Sequence, residues 1–342
     1  MWGRTRDRLA AALLAAAVLA VLGAVLLSLG GSAPAATGPP ARSGASQVMA
    51  LLDAHPAPAA HWALQAHLDT VSAVAPGWLT LDGGRGTFRY QTPDDATTRF
   101  AARGALVAPV LRDPAGHAGR LLRDGPVRRM LARRLASALA ALGTQAVVLD
   151  FERVPSAARA AYPAFVRELR AALGSGGRIY VTVPAAVTRA ELRAARGYDF
   201  RDLARPATLI VRAWDEHSSA TDPGPVASLA FFRAAVRLAV RRAPRARVLI
   251  GVPTWGWTWT ADGRAARATQ AQLFPAARPR ALLDPDGARL AGPEPGATSW
   301  VESDRSVQLK LLVARNAKVA GVALWVRGGE STRLWTQPLM AP

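Results

Sequence analysis

The chain has 342 residues, a formal net charge of +19, apolar residues at half its positions and no cysteine. That length fits one large domain or two small ones. With one-fifth of residues charged and apolar residues throughout, a largely disordered chain is excluded. The missing cysteines exclude disulfides, thiol catalysis and Cys-ligated metal centres. The positive charge is almost all Arg, with lysine only at Lys310 and Lys318, and it is spread through an Ala-rich chain. This pattern reads as compositional drift rather than a basic patch, so no nucleic-acid partner is expected.

Arg4, Arg6 and Arg8 precede an uncharged, proline-free apolar run from Leu9 to Leu29. Roughly 20 residues at about 1.5 Å each match a bilayer core of about 30 Å, longer than the apolar part of most secretory signals. Residues 1–30 are therefore read as a membrane anchor, a transmembrane helix whose positive flank stays in the cytoplasm. Ala33-Pro34-Ala35 leaves a cleaved signal segment and secretion as the alternative. Both readings place the rest of the chain outside the cytoplasm. Residues 31–46 are small and Pro/Gly-rich, which marks a linker.

The folded domain is expected over 47–338. Candidate strands are Gln47–Leu52, Ala73–Leu81, Ala105–Leu111, Ala146–Phe151, Arg178–Val183, Thr208–Ala213, Arg247–Pro253 and Gly321–Val326. Helical patterns lie between them, at Val127–Leu142, Ala157–Leu173, Val226–Arg242 and Ser306–Lys318. Strands alternating with helices predict an α/β fold with a parallel sheet, and eight such strands are the number that closes a (β/α)₈ TIM barrel. A doubly wound open sheet is the alternative, but no Gly-rich phosphate loop follows any strand.

In such a barrel, chemistry belongs at the C-terminal strand ends. The fourth strand ends in Asp150-Phe151-Glu152, and strand alternation places Val148, Asp150 and Glu152 on one face. Two carboxylates that close do not both ionise cheaply, so one of a pair can carry a proton and act as a general acid. Helix capping is the competing structural role for such carboxylates. Trp214-Asp215 follows the sixth strand, Trp255, Trp257 and Trp259 follow the seventh, and Trp325 ends the eighth. Any single Trp can be there for packing. Several beside carboxylates at one rim point to stacking platforms for sugar rings.

Four segments, LDFERVP (149–155), IVRAWDEH (210–217), GVPTWGW (251–257) and GVALWVRGGESTRLW (321–335), resemble the strand-end motifs of glycoside hydrolase family 18. The similarity runs in order from about residue 46 to 335 and is strongest to the subgroup of bacterial spore-cortex and cell-wall hydrolases. It implies a TIM barrel and a retaining, substrate-assisted mechanism, an exception to the two-carboxylate scheme. By this resemblance Glu152 matches the general acid/base and Asp150 matches the carboxylate that orients the substrate's 2-acetamido group. Asp215 falls where that group is held, and Trp325 matches the floor beneath the cleaved sugar; Trp214 or Trp255 is the candidate to complete that sugar-stacking surface. The implied substrate is a GlcNAc-containing polysaccharide, peptidoglycan or chitin-like, handled by a monomer without cofactor or metal.

The sequence departs from the family pattern at four positions. Gln145 and Val148 stand where the DxxDxDxE motif has its first two acids, Trp214 replaces a Tyr, and Arg212 occupies a position often held by Met. An inward Arg212 would favour ionised carboxylates around it. Weaker catalysis is the expectation, and a weak or inactive glycan-binding relative is the alternative function.

Overall fold

The computed structural model describes residues 46–53, 60, 64–83, 85–91, 95–276, 281–336 and 339. The proposed anchor and all but the last residue of the linker lie outside them. Among the described residues no helix is long and apolar enough to cross a membrane.

The chain alternates strands and helices as the pattern predicts. The main sheet holds the parallel strands β1 (Gln47–Leu51), β2 (Ala73–Ala75) and β3 (Leu79–Asp82), an antiparallel edge strand β4 (Thr87–Tyr90) on β3, and the parallel strands β5 (Leu106–Val107), β6 (Val110–Arg112), β7 (Ala146–Asp150), β8 (Arg178–Pro184), β9 (Thr208–Arg212) and β10 (Val248–Val252). Beyond them come β11 (Gly256–Trp259), β12 (Ala265–Ala268), β13 (Ala288–Ala291), β14 (Thr298–Val301) and finally β15 (Gly321–Trp325), which returns to the parallel sheet.

The two predicted strands Ala73–Leu81 and Ala105–Leu111 exist, but each is broken by a proline. Pro76 separates β2 from β3, and Pro109 separates β5 from β6. Proline fixes φ and has no N–H to give the ladder. The hydrogen bonding bridges both breaks: Ala108 N–H donates to Val74 O at 2.8 Å and Val110 N–H to Pro76 O at 2.7 Å. β5 thus pairs with β2 while β6 pairs with both β3 and β7. With β15 pairing β1 and β10, the curled parallel sheet is TIM-barrel-like.

The helices begin and end where capping chemistry puts them. Asp124 accepts from Val127 N–H to start Gly125–Ala141, and Ser228 accepts from Phe231 N–H to start Leu229–Arg242. Ser303 and Ser306 cap each other's backbone at the start of Asp304–Asn316. Ala161–Leu173 starts later than its apolar pattern suggests because residues 156–158 form a separate 3₁₀ turn, and it stops at Gly174, which adopts φ 75°.

Strand alternation divides the core. Val147, Leu149 and Phe151 pack outward against helices such as Ala161–Leu173 through Tyr162 and Phe165. Ala146 and Val148 face inward among Met49, Ala73, Tyr180 and Ile210. This is the filled interior expected of a barrel rather than a pore.

The sequence pattern did not reveal the antiparallel sheet between β10 and β15, in the order β12-β11-β14-β13. It is fastened below by a buried ion pair. Lys310 Nζ lies 2.6 Å from Glu302 Oε2, with both side chains at 1 % exposure or less. Ser306 donates to the same carboxylate, and Gln270 donates to the Glu302 carbonyl. Burial pushes the Glu302 carboxyl up, and Lys310 opposes that shift.

Candidate active site

Asp150 closes β7 and points inward with Val148. It is 6 % exposed, and its Oδ1 accepts a 2.7 Å hydrogen bond from Thr182 of β8. Glu152 lies beyond the strand with its side chain 59 % exposed. Arg212, at the end of β9, turns inward and brings Nη1 to 3.4 Å from Glu152 Oε1. Burial works against the Arg212 charge, but Asp150, Tyr198, Glu152 and Asp215 outweigh it and hold the guanidinium more firmly protonated than usual. Its Nε is buried and has no protein partner among the described residues.

Asp215 lies three residues beyond the end of β9 and has φ 65°. Asp tolerates this left-handed region better than most residues, and outliers of this kind gather at functional sites. Burial pushes its carboxyl up, while Arg212 and Arg267 pull it back down. The carboxylates Asp150, Glu152 and Asp215 therefore share one guanidinium.

Three tryptophans from the ends of β9, β10 and β15 pack edge to face. Ring centroids are 5.7 Å apart for Trp214–Trp255, 5.7 Å for Trp214–Trp325 and 6.1 Å for Trp255–Trp325. Gly251 of β10 makes the room, since a Cβ there would lie 2.0 Å from the Trp214 ring. Trp214 and Trp255 are buried, at 3 % and 1 % exposure, whereas Trp325 is half-buried. Of the three, Trp325 is the ring with surface to offer; the other two brace it.

Residues 119–330 match the family model described as glycosyl hydrolases family 18. The chain belongs to glycosyl hydrolases family 18. A Bacillus subtilis (strain 168) protein named as a sporulation-specific glycosylase, YdhD, is 26% identical over 219 residues, 60% of this chain and 52% of its own. This chain spans little more than half the length of the curated relatives it matches. The solved chitinase from Chromobacterium violaceum ATCC 12472 superposes with a TM-score of 0.77 at 24% identity, covering 87% of this chain and 100% of that one. The spore cortex-lytic enzyme SleL of Bacillus megaterium QM B1551 gives a TM-score of 0.71 at 16% identity, covering 85% and 72%. These two similarities concern the fold.

Within this family 18 domain, the predicted residues Asp150, Glu152, Trp214, Asp215, Trp255 and Trp325 gather at one barrel mouth. The structure adds partners that the sequence reading left unassigned. Asp53, two residues beyond β1, accepts from Trp325 Nε1 at 3.1 Å and from Arg327 Nη1 at 2.7 Å. Arg112, at the end of β6, lies 3.7 Å from the same carboxylate. The guanidiniums of Arg112 and Arg327 stand 5.3 and 5.0 Å from the Trp325 ring centroid. Their positions at strand ends were the available signal; their convergence on Asp53, more than 270 residues from Arg327 in sequence, was not.

Glu330 anchors the loop behind Trp325. Its carboxyl accepts from the backbone N–H groups of Arg327 and Gly328 and from the Thr254 hydroxyl, which also donates to the Trp325 carbonyl. Burial nevertheless pushes it up to about 7. Between about 4.5 and 7 the native state then holds a proton that the unfolded chain releases. The stability from this proton is full below about pH 4.5 and is lost as pH rises through about 7. We expect Glu330→Gln to remove up to about 3 kcal/mol of the pH dependence of unfolding between pH 5 and pH 8. Denaturant melts at both pH values check this; an identical pH slope in mutant and wild type would contradict it.

Proposed function

We propose that this family 18 domain hydrolyses a GlcNAc-containing glycan by a retaining, substrate-assisted route. The placement of Asp150 and Glu152 at the end of one strand, sharing Arg212 with Asp215, carries this reading. Glu152 is reached from solvent, as a group must be to meet a glycosidic oxygen. It donates its proton to the leaving oxygen as the C1–O bond breaks. The substrate's own 2-acetamido oxygen attacks C1, giving an oxazolinium ion, and Asp150 orients the acetamido N–H and balances its developing charge. Thr182 fixes the Asp150 carboxylate for that task. Glu152, now ionised, takes a proton from water as the water attacks C1, and the ring of the intermediate reopens. Asp215 helps hold the acetamido group. Retention follows from two inversions at C1.

The membrane anchor or secreted form expected from residues 1–30 belongs to the same proposal, placing the domain outside the cytoplasm near wall glycan. A reporter fused after Pro342 that is active only in the cytoplasm tests it, and activity of that reporter would defeat the placement. For the reaction, the full chain is incubated with peptidoglycan and with GlcNAc oligomers, and products are identified by mass and by the anomer first released. Cleavage with a retained β-anomer supports the route, whereas an α-anomer would sink it.

Two observations favour a second reading, a glycan-binding relative with little turnover. Val148 is fully buried beside Asp150 where the family carries an acid, and Arg212 occupies Glu152. Binding without products in the same assay would select it.

Trp325 should contribute to either activity. We expect Trp325→Ala to weaken GlcNAc-oligomer binding by about tenfold or more, since stacking on a large ring combines area burial with its specific geometry. Wild-type fluorescence should change on adding the oligomer. Unchanged affinity in a folded Trp325→Ala protein would assign the ring to packing.

A further inference from the structure

The antiparallel sheet inserted between β10 and β15 carries an ordered row of side chains. Trp257 of β11 is the cross-strand partner of Arg267 on β12 and of Trp300 on β14, and Trp300 is in turn the partner of Arg289 on β13. Directly opposed residues share a face of a sheet. One face therefore reads Arg267, Trp257, Trp300, Arg289 across its four strands.

That face meets the barrel mouth. Trp257 packs in the same cluster as Trp214 and Trp255, with Trp300 and Trp325 against it. The Arg267 guanidinium lies 5.2 Å from the Trp257 ring centroid and 6.0 Å from that of Trp255. It is close enough to Asp215 to act on its charge. A single side chain thus reaches from the inserted sheet to the edge of the catalytic mouth.

The arginines of the mouth differ in what they already serve. Arg212 is taken up by Glu152, and Arg112 and Arg327 by Asp53. Among the described residues no carboxylate oxygen lies within 4.0 Å of a nitrogen of Arg267 or Arg289, and both side chains are exposed. A guanidinium laid on an indole is held in a narrow range of positions while its N–H fork stays open. That is a receptor for a planar anion, since a carboxylate accepts two parallel N–H bonds from such a fork. The intervening Trp300 is half-buried and can support an apolar sugar face between the two charges.

We propose that Arg267, continued by Arg289 along the row, reads a carboxylate on the sugar next to the GlcNAc being processed, so that this domain prefers an acidic GlcNAc glycan to a neutral one. The inference rests on the glycosidase reading and specifies its substrate class.

The test compares the full chain and its variants on two soluble polymers with one backbone, neutral glycol chitin and carboxymethyl chitin, with binding and hydrolysis measured separately. Wild type should bind the carboxylated polymer about tenfold more tightly, the scale of one charge-assisted bidentate contact. Arg267→Gln should bring the ratio close to one with neutral-polymer binding unchanged within about twofold, and Arg267→Lys should recover part of it. Because the chain carries a net charge of +19, Arg237→Gln, on the exposed side of the helix Leu229–Arg242, serves as the control for charge alone and should keep the ratio. Arg289→Gln gives a second variant if Arg267→Gln fails to fold. Equal binding of the two polymers by wild type, or a preference that survives Arg267→Gln, overturns the inference while leaving the glycosidase reading intact. A preference that falls equally in Arg237→Gln also overturns it. Charge-selective binding without products removes the glycosidase reading alone, and no binding of either polymer removes both.

Discussion

Glu152→Gln should lower turnover on a GlcNAc glycan by about 10²–10⁴ while leaving affinity nearly unchanged, because general acid–base assistance is typically worth that much. The amide has the shape of the carboxylic acid but no acidic proton to give the leaving oxygen. Its stability cost should be small: the Glu152 side chain is 59 % exposed, and its contact with Arg212 is at 3.4 Å. An amide oxygen can still accept from that guanidinium. Single-turnover rates with Trp fluorescence as the binding signal separate the two effects. Wild-type turnover in the mutant would take Glu152 out of the mechanism. Loss of binding in step with turnover would make it a substrate ligand instead.

Arg212→Met places at that position the residue that family 18 often carries, and here it should be costly. We expect a loss of about 3 kcal/mol in unfolding free energy, the scale for removing one partner from a buried charge cluster. The Arg212 side chain is 16 % exposed and faces Asp150, Glu152 and Asp215. Without it, Asp215 loses the larger of the two positive charges that oppose the effect of its burial and is pushed further up. Arg212→Lys keeps the charge but loses the planar fork, and should fall between the two. Denaturant unfolding followed by Trp fluorescence measures all three proteins. A loss below about 1 kcal/mol would mean that solvent, rather than Arg212, balances these carboxylates.

Much of this site could be read from the chain because strand ends in a parallel α/β fold concentrate chemistry. Asp150 and Glu152 follow a run of apolar residues whose alternation alone puts both on the face of Val148. Val148 lies beside Asp150 for the same reason. What alternation does not convey is depth. Trp214, Trp255 and Trp325 look equivalent as strand-end aromatics, yet only Trp325 keeps surface, because Gly251 admits the Trp214 ring into the barrel. Asp53 follows β1 while its partners end β6 and follow or end β15, and no local pattern joins them. The inserted sheet was missed for a compositional reason: AARA and ARLA are poor strand formers, and their pairing depends on neighbours rather than propensity. Pro76 and Pro109 were visible punctuation, but backbone bonds across both breaks preserve the strands they interrupt.

The ion pair beneath the inserted sheet makes this chain unusual toward amine chemistry. It has two lysines, and one of them, Lys310, is fully enclosed with Glu302. Lys318 is exposed, at a left-handed turn with φ 54°. An acylating reagent, or a protease that cuts only after lysine, therefore finds one side-chain target in the native domain, and the second appears only when the helix Asp304–Asn316 parts from the sheet. The rate at which Lys310 becomes modified reports the opening of that junction directly, without a label being engineered into the protein.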